Sequence, residues 1–375
     1  MDDAIIAGAV RTPVGKRNGQ LADIHPVSLL AQVLAEAVRR AGIEPAMVDD
    51  VIVGCVSQVG EQAFNVGRNA VLAAGFPVEV PATTLDRQCA SSEQAVHFAA
   101  SLVQSGACEL VIAGGVEHMT RVPMFSSRAN ANPFPPELLD RYQLVDQGYS
   151  AELIAQRWGI GREEADEFAL GSHQKALAAQ AGGRFQDEIM PVGAATRDEG
   201  PRVDTSLERL AGLKLSFKED GILTAGNSSQ ISDGAAAVVI ASKRKAQELG
   251  LKARARIAGQ RVVGVDPVIM LTGPIPATQQ LLERHNLRLS DIDLFEINEA
   301  FAPVVLAWQR ELQPDMERVN VNGGAIALGH PLGATGARLM TTLLHEMERR
   351  DARLGLQTMC CGGGIGVATL LDREV

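Results

Sequence analysis

Four places in the chain carry side chains able to do covalent or proton-transfer chemistry. Cys89 lies in TTLDRQCASSEQAVHFAASL, where Thr83–Leu85 predicts a short strand and Ser91 or Ser92 is expected to cap the following helix. A thiol at that position feels the positive end of the helix dipole and the free N–H groups of the first turn, which favours the thiolate. A buried structural cysteine is the alternative. His330 stands between Gly329 and Pro331 in NVNGGAIALGHPLGATGAR. Proline keeps this histidine out of a helix, and the surrounding glycines let a ligand approach it closely. Cys360 and Cys361 end the strand-like LGLQTM and precede GGGIG. Neighbours on a strand face opposite ways, so only one of the two thiols reaches a given site. The alternative is a tight turn beside two small core residues. Asn298, in FEINEAFA, ends a further strand, a place where side chains commonly face a site.

Two thiols, an imidazole, an amide and glycine-rich backbone donors suit acyl transfer through a thioester. The set supplies a nucleophile, a base, a second acid/base and N–H groups for an oxyanion. Rival readings of the glycines fail on context. GHPLGATG does not open on G-x-G after a buried strand, and no Gly-Lys-Ser/Thr phosphate loop is present. Neither a Ser/Asp triad signature nor a metal-ligand cluster competes.

These residues need elements to position them. Strand-like runs (AIIAGAV, DDVIVGCVS, CELVIAGGV, AAAVVIAS, LFEINEAF, LQTMCCGGGIGVATLL) alternate with amphipathic segments such as 28–41, 91–104 and 335–349. The alternation predicts α/β layers with helices covering sheets. Residues 43–54 and 287–298 share a pattern of turn, Val/Ile–Asp pair and strand. Residues 91–115 and 335–363 both read as helix, turn, strand and Gly-Gly. Two echoes in the same order indicate a duplicated α/β unit. From about 118 to 223 the chain is richer in Pro, Arg and turns, and reads as an insertion into the first unit.

The 375 residues allow more than one core. A net charge of −10 argues against a general nucleic-acid binder. No apolar run approaches the length of a membrane span, and the first residues resemble neither a signal nor a transit peptide. Five cysteines without a C-x-x-C pair fit a reducing, cytoplasmic home.

The ordered motifs RTPVGK, DRQCASS, GGVEHM, DEGPRVDTSLERLAGLKLSF, TAGNSSQISDGAAAVV, NEAFA, NVNGGAIALGHPLGATGAR and CCGGGIG closely resemble the thiolase family, acetyl-CoA acetyltransferases and 3-ketoacyl-CoA thiolases. The resemblance covers nearly the whole chain. It implies a thiolase-like α/β fold: two duplicated five-stranded α/β domains in a layered αβαβα core, with an inserted loop domain. The expected boundaries are 1–118 plus 225–253, an insertion over 119–224, and a second domain over 254–375. It also implies roles. Cys89 resembles the acyl-accepting nucleophile, and His330 the base that activates it. Cys360 takes the place of the second acid/base, with Cys361 on a variable position. Asn298 resembles the residue that holds a water, which with His330 makes one oxyanion hole; the amides of Cys89 and Gly362 make the other. Arg202, Phe217, Ser229 and Phe301 fall where the family contacts coenzyme A, a co-substrate with no permanently bound cofactor beside it. Arg202, Arg209 and Lys214 are expected to attract that anion.

Several positions depart from short-chain biosynthetic members. DQG (Asp146–Gly148) replaces a usual HMG over the acyl group, Ser92 replaces a glycine, and Glu93 replaces an apolar residue. These departures favour a degradative enzyme acting on a longer or bulkier acyl chain. A biosynthetic acetoacetyl-CoA thiolase is the alternative. Glu93 alone supports a third reading, a non-catalytic acyl-CoA-binding subunit, because a carboxylate there would raise the thiol pKa. The segment 120–144 is short beside that of tetrameric family members, which use this region for their contacts, so the resemblance implies a homodimer, with a homotetramer as the alternative.

Overall fold

The computed structural model describes residues 2–129 and 131–375. The first half runs β1 (Ala4–Arg11), β2 (Gly15–Lys16), α1 (Pro26–Ala41), β3 (Asp50–Gly54), α2 (Val66–Ala73), β4 (Ala82–Leu85), α3 (Ser91–Ser105) and β5 (Leu110–His118). Four helices follow: α4 (Pro136–Leu139), α5 (Gln147–Trp158), α6 (Arg162–Ala181) and α7 (Leu207–Ala211). The chain then returns to the sheet with β6 (Ser232–Ser242) and leaves it through α8 (Lys243–Glu248). The second half comprises β7 (Ala255–Gly264), α9 (Pro274–Arg284), β8 (Leu294–Ile297), α10 (Ala302–Leu312), α11 (Ala325–Leu328), α12 (Thr335–Arg350), β9 (Leu354–Cys361) and β10 (Ile365–Asp372).

Nine strands lie in the order β4-β3-β5-β6-β1-β7-β10-β9-β8, and β2 pairs with β6. The halves meet where Ile5 and Ile6 of β1 pair with Arg256 and Ala255 of β7. The two expected sets of strands are therefore joined edge to edge in one ten-stranded sheet. In the second half a fifth strand shrinks to a single parallel bridge between Phe295 and Val319. The reason is local. The Asn320 side chain bonds both the N–H and the C=O of Ile297, at 2.9 Å each, so it takes the β8 edge groups that a longer strand would need. LQTMCCGGGIGVATLL, a single apolar run in sequence, is two antiparallel strands. They hinge at Gly363 and Gly364, both with φ +80°, a conformation other residues rarely adopt.

Helices α1 and α2 cover the outer face of the first half, where Leu30, Leu34 and Val71 pack on Val51, Ile112 and Val239. On the other side, α9 and α10 cover the second half through Leu281, Val305 and Trp308. Between the two halves lie α3 and α12, whose Ala95, Ala99, Val103, Ala337, Met340 and Leu344 share one apolar cluster with both sets of strands. Small side chains allow this. A Cβ on Gly336 of α12 would come 2.3 Å from the amide nitrogen of Glu93 in α3. The segment between β5 and β6 is strapped to the sheet by Arg11 at the end of β1. Its guanidinium bonds Asp198 at 2.7 and 2.9 Å and Glu188 at 2.6 Å, with all three side chains buried. Among the described residues no helix is long and apolar enough to cross a membrane.

Candidate active site

Cys89 stands in the turn between β4 and α3, which three neighbours hold. Gln88 adopts a left-handed φ of +49°, its amide donates to Asp86 Oδ1 at 2.6 Å, and Ser91 Oγ accepts from Arg87 N and donates to Gln88 O. Ser91 thus ties the turn and does not cap the helix. The residue in the cap position is Ala90, with no side-chain bond, and Ser92 Oγ instead accepts from Ala337 N of α12 at 2.9 Å. The expected capping is replaced because the helix end is buried against α12 and has no room for an outward-facing hydroxyl.

The expected thiolate is also corrected. Burial pushes the Cys89 thiol up to about 12. The N–H groups of Gly362 and of Cys89 itself act on the sulfur to lower it, and the carboxylates of Glu117 and Asp86 add to the rise. Desolvation outweighs the helix end, so the resting sulfur keeps its proton and needs a base.

His330 can be that base. Its amide donates to Ser232 Oγ at 3.2 Å, and Gly329, with φ +108°, turns the chain so that the ring enters the interior. Thr335 Oγ1 donates to Pro331 O at 2.8 Å, so its remaining contact with His330 Nδ1, at 2.6 Å, is as acceptor. This bond network assigns the proton to Nδ1 and leaves Nε2 bare. Burial, with Arg338 nearby, pulls the imidazole down to about 3, which keeps it neutral. Asn298 follows β8 directly, and its Nδ2 lies 3.3 Å from His330 Nε2, while its buried Oδ1 has no protein partner.

At the end of β9, strand alternation separates the paired cysteines as expected. Cys361 joins the apolar cluster of Cys89, Met119 and Leu332, whereas Cys360 faces Phe301 and Ile326. Burial pushes both thiols up, and both lie close enough to Cys89 to be raised by it.

Beside His330 opens a cavity of about 840 Å³. Arg202, Phe217, Ser229 and Phe301, the candidate coenzyme A contacts, all line it. Phe217 and Phe301 meet edge to face at 5.7 Å, and the Ser229 amide donates to Ala300 O. Met119, Met124, Phe125, Gln147 and Leu332 line it as well, and Met119 and Leu332 are the two that pack on Cys89. Of the expected cations, Arg202 lines this cavity. Arg209 instead lines a smaller adjoining one, where it pairs with Asp204, and Lys214 lines neither.

The chain matches "Thiolase, N-terminal domain" over residues 4–244 and "Thiolase, C-terminal domain" over residues 251–373. The chain belongs to the thiolase family. It is 50% identical to a steroid 3-ketoacyl-CoA thiolase of Mycobacterium tuberculosis, over 100% of this chain and 95% of that one. An acetyl-CoA acetyltransferase of Pseudomonas aeruginosa is 45% identical over the full length of both chains. The crystal structure of the Bacillus anthracis acetyl-CoA acetyltransferase superposes with a TM-score of 0.92 at 44% identity, covering 99% of each chain.

Within this thiolase the three departures separate. Gln147 lines the cavity, but Ser92 and Glu93 do not. Glu93 faces away from Cys89 into the layer between the halves. There it accepts from Thr369 Oγ1 at 2.6 Å, and Thr369 in turn meets His97 Nε2 at 2.8 Å. Four supporting residues escaped the sequence reading. Glu117 accepts from Val56 N, Ser57 N and Gly333 N, tying the turn after β3 to the loop after His330. Glu299 accepts from Ser172, Asn320 and the Ile326 amide, and Thr335 and Asn320 act as described. Their partners lie 21 to 216 positions away, apart from those of Thr335, which are four and five away, and a lone polar residue in sequence carries no sign of this.

Proposed function

We propose that this thiolase cleaves 3-ketoacyl-CoA with coenzyme A, giving acetyl-CoA and a shortened acyl-CoA through an acyl-Cys89 intermediate. The observation that carries the reading is the neutral imidazole of His330. His330 lines the cavity, its unprotonated Nε2 lies beside the Asn298 amide, and Met119 and Leu332 of the cavity wall pack on the Cys89 thiol.

In this reading His330 Nε2 takes the proton of Cys89, whose sulfur attacks C3 of the substrate. The N–H groups of Cys89 and Gly362 receive the developing oxyanion. The C2–C3 bond then breaks, and the acetyl-CoA enolate oxygen is held by His330 Nε2–H and a water on Asn298. Cys360 gives its proton to C2, and acetyl-CoA leaves. The Cys360 thiolate takes the proton of an incoming CoA thiol, whose sulfur attacks the acyl carbonyl. Cys89 departs and recovers its proton from His330. Run backwards, the same transfers form a C–C bond.

A degradative role on a bulky acyl chain is supported by Gln147 in the cavity wall and by the name of the Mycobacterium tuberculosis relative. The name of the Pseudomonas aeruginosa relative favours the biosynthetic alternative. CoA-dependent cleavage of 3-ketoacyl-CoAs from four carbons upward, including a ring-bearing one, tests the reading. Cys89→Ala should lower cleavage by ~10³-fold or more. If folded protein binds CoA and cleaves none of them, the non-catalytic subunit takes its place.

The same reading keeps 1–118 plus 225–253, 119–224 and 254–375 as domain and insertion, supported by the return of the chain to the sheet at β6. It assigns the bare edge of β4 to a second copy of the chain. Beside that edge Phe64 is 91% exposed, and Asn65 bonds Ala82 and Thr84. Light scattering distinguishes this homodimer from a homotetramer. All five cysteines are free, in keeping with a cytoplasmic site of action.

A further inference from the structure

Two amides converge over the spot where the acyl group would be bound. A Cβ placed on Gly362 would come 2.7 Å from Gln147 Nε2 and 3.2 Å from Gln88 Oε1. The Gly362 N–H is itself directed at the Cys89 sulfur. The two amides therefore flank the glycine whose N–H acts on that sulfur. They are held by independent means. Gln88 is the residue of left-handed φ before Cys89, and its Nε2 donates to both oxygens of Asp86, at 3.0 and 3.3 Å. That fixes its Oε1 as the end turned toward Gly362. Gln147 opens α5, which Asp146 caps through the Tyr149 amide, and Gly148 beside it lies against the Phe217 ring.

Neither Gln147 Nε2 nor Gln88 Oε1 has a hydrogen-bond partner among the described residues. One offers a donor and the other an acceptor; Gln147 lines the cavity beside Met119, Met124, Phe125 and Leu332, and Gln88 reaches it next to Gly362. A plain alkyl chain would cover both amides and satisfy neither, which carries the cost of unpaired buried polar groups. A hydroxyl both donates and accepts, so it satisfies the pair at once.

We propose that Gln147 and Gln88 are specificity-determining residues that select 3-ketoacyl-CoAs whose acyl chain carries a hydroxyl two carbons beyond the carbon that bonds to Cys89. The substrate class is a 5-hydroxy-3-ketoacyl-CoA, and the inference rests on the thiolase reading above. The reaction that supplies such a substrate must leave an oxygen on the chain ahead of the 3-keto group. An oxygenated product then leaves with the shortened acyl-CoA.

The experiment compares CoA-dependent cleavage of a 5-hydroxy-3-ketoacyl-CoA with that of the plain 3-ketoacyl-CoA of the same length. A site built to bond a substrate hydroxyl discriminates strongly against the analogue lacking it. The expected kcat/KM ratio is about tenfold or more in favour of the hydroxylated chain. Gln147→Met should bring the ratio to one or below by raising cleavage of the plain chain, and Gln88→Leu should lower the ratio partway. Thermal melts of both variants report whether they fold. A wild-type ratio of one or below overturns the proposal. So does an equal slowing of both substrates in Gln147→Met, which would mean that the amide serves the reacting thioester. Cleavage of neither substrate by the wild type would sink the thiolase reading instead.

Discussion

Helices α3 and α12 are counterparts in the two halves. Both enter the buried middle layer without a side-chain cap, behind Ala90 and Ala334, and they cross where Gly336 meets Glu93. Their leading turns differ. The turn before α3 is short, stapled by Asp86 and Ser91, and delivers a thiol that burial keeps protonated. The loop before α12 is long and glycine-rich, and delivers an imidazole that burial keeps neutral. One desolvated layer thus produces opposite needs in the two halves, a sulfur that must lose a proton and a nitrogen free to take it. In the proposed mechanism, the two halves divide one proton transfer between them.

The largest way to break this division is to remove the base. His330→Gln should lower cleavage by about 10²–10⁴-fold. It should also slow alkylation of Cys89 by iodoacetamide, read by mass spectrometry of the modified peptide. Equal alkylation rates in the two proteins would mean that Cys89 does not depend on His330 for activation.

A smaller effect comes from wedging the helices apart. Gly336→Ala places a methyl 2.3 Å from the Glu93 amide and should cost about 1–3 kcal/mol of stability. Gly171→Ala in α6, where a Cβ meets nothing within 4 Å, is the matched control and should be neutral or slightly stabilising. A Tm for Gly336→Ala as high as the control's would show that the crossing is loose.

The smallest effect sharpens the electrostatic side of the comparison. Burial, opposed by bonds from Thr369 and Gln357, pushes Glu93 up to about 8. A carboxyl raised on folding contributes stability that is fully present below its unfolded value near 4.5 and is lost as pH rises through 8. Burial pulls His97 the other way, down to about 3, so its contribution is lost as pH falls from 6.5 toward 3. Glu93→Gln should therefore keep a Tm at pH 9 closer to its value at pH 6, by ~2–4 °C, while the fall below pH 4.5 stays unchanged. Parallel Tm curves for both proteins from pH 6 to 9 would show that Glu93 is ionised throughout.

Much of the site was legible because the chemistry-bearing residues advertise themselves locally. Cys89 between strand and helix, His330 among glycines, Asn298 at a strand end and the thiol pair before GGG each carry their signal within a few positions. The strand and helix runs around them likewise follow from apolar periodicity, and β4, α3 and α12 fall where that periodicity places them. The sequence by itself determined the α/β alternation and named the candidate reactive groups.

Only the tertiary structure decided how those groups behave. Local reasoning gave Cys89 a stabilised thiolate from its helix end. Packing against α12 and the floor of Met119 and Leu332 removed the water that would solvate such a charge, and desolvation outweighed the dipole. It also gave Glu93 to the nucleophile, because four positions separate them in sequence. A helix turns the carboxylate toward Thr369 on the opposite strand, and no local pattern names that partner. The protonation of His330 hangs on one hydroxyl, and the meeting of Gln88 with Gln147 joins segments 59 positions apart. Solvation and long-range contact are properties of the folded whole, so they are absent from any short stretch of the chain.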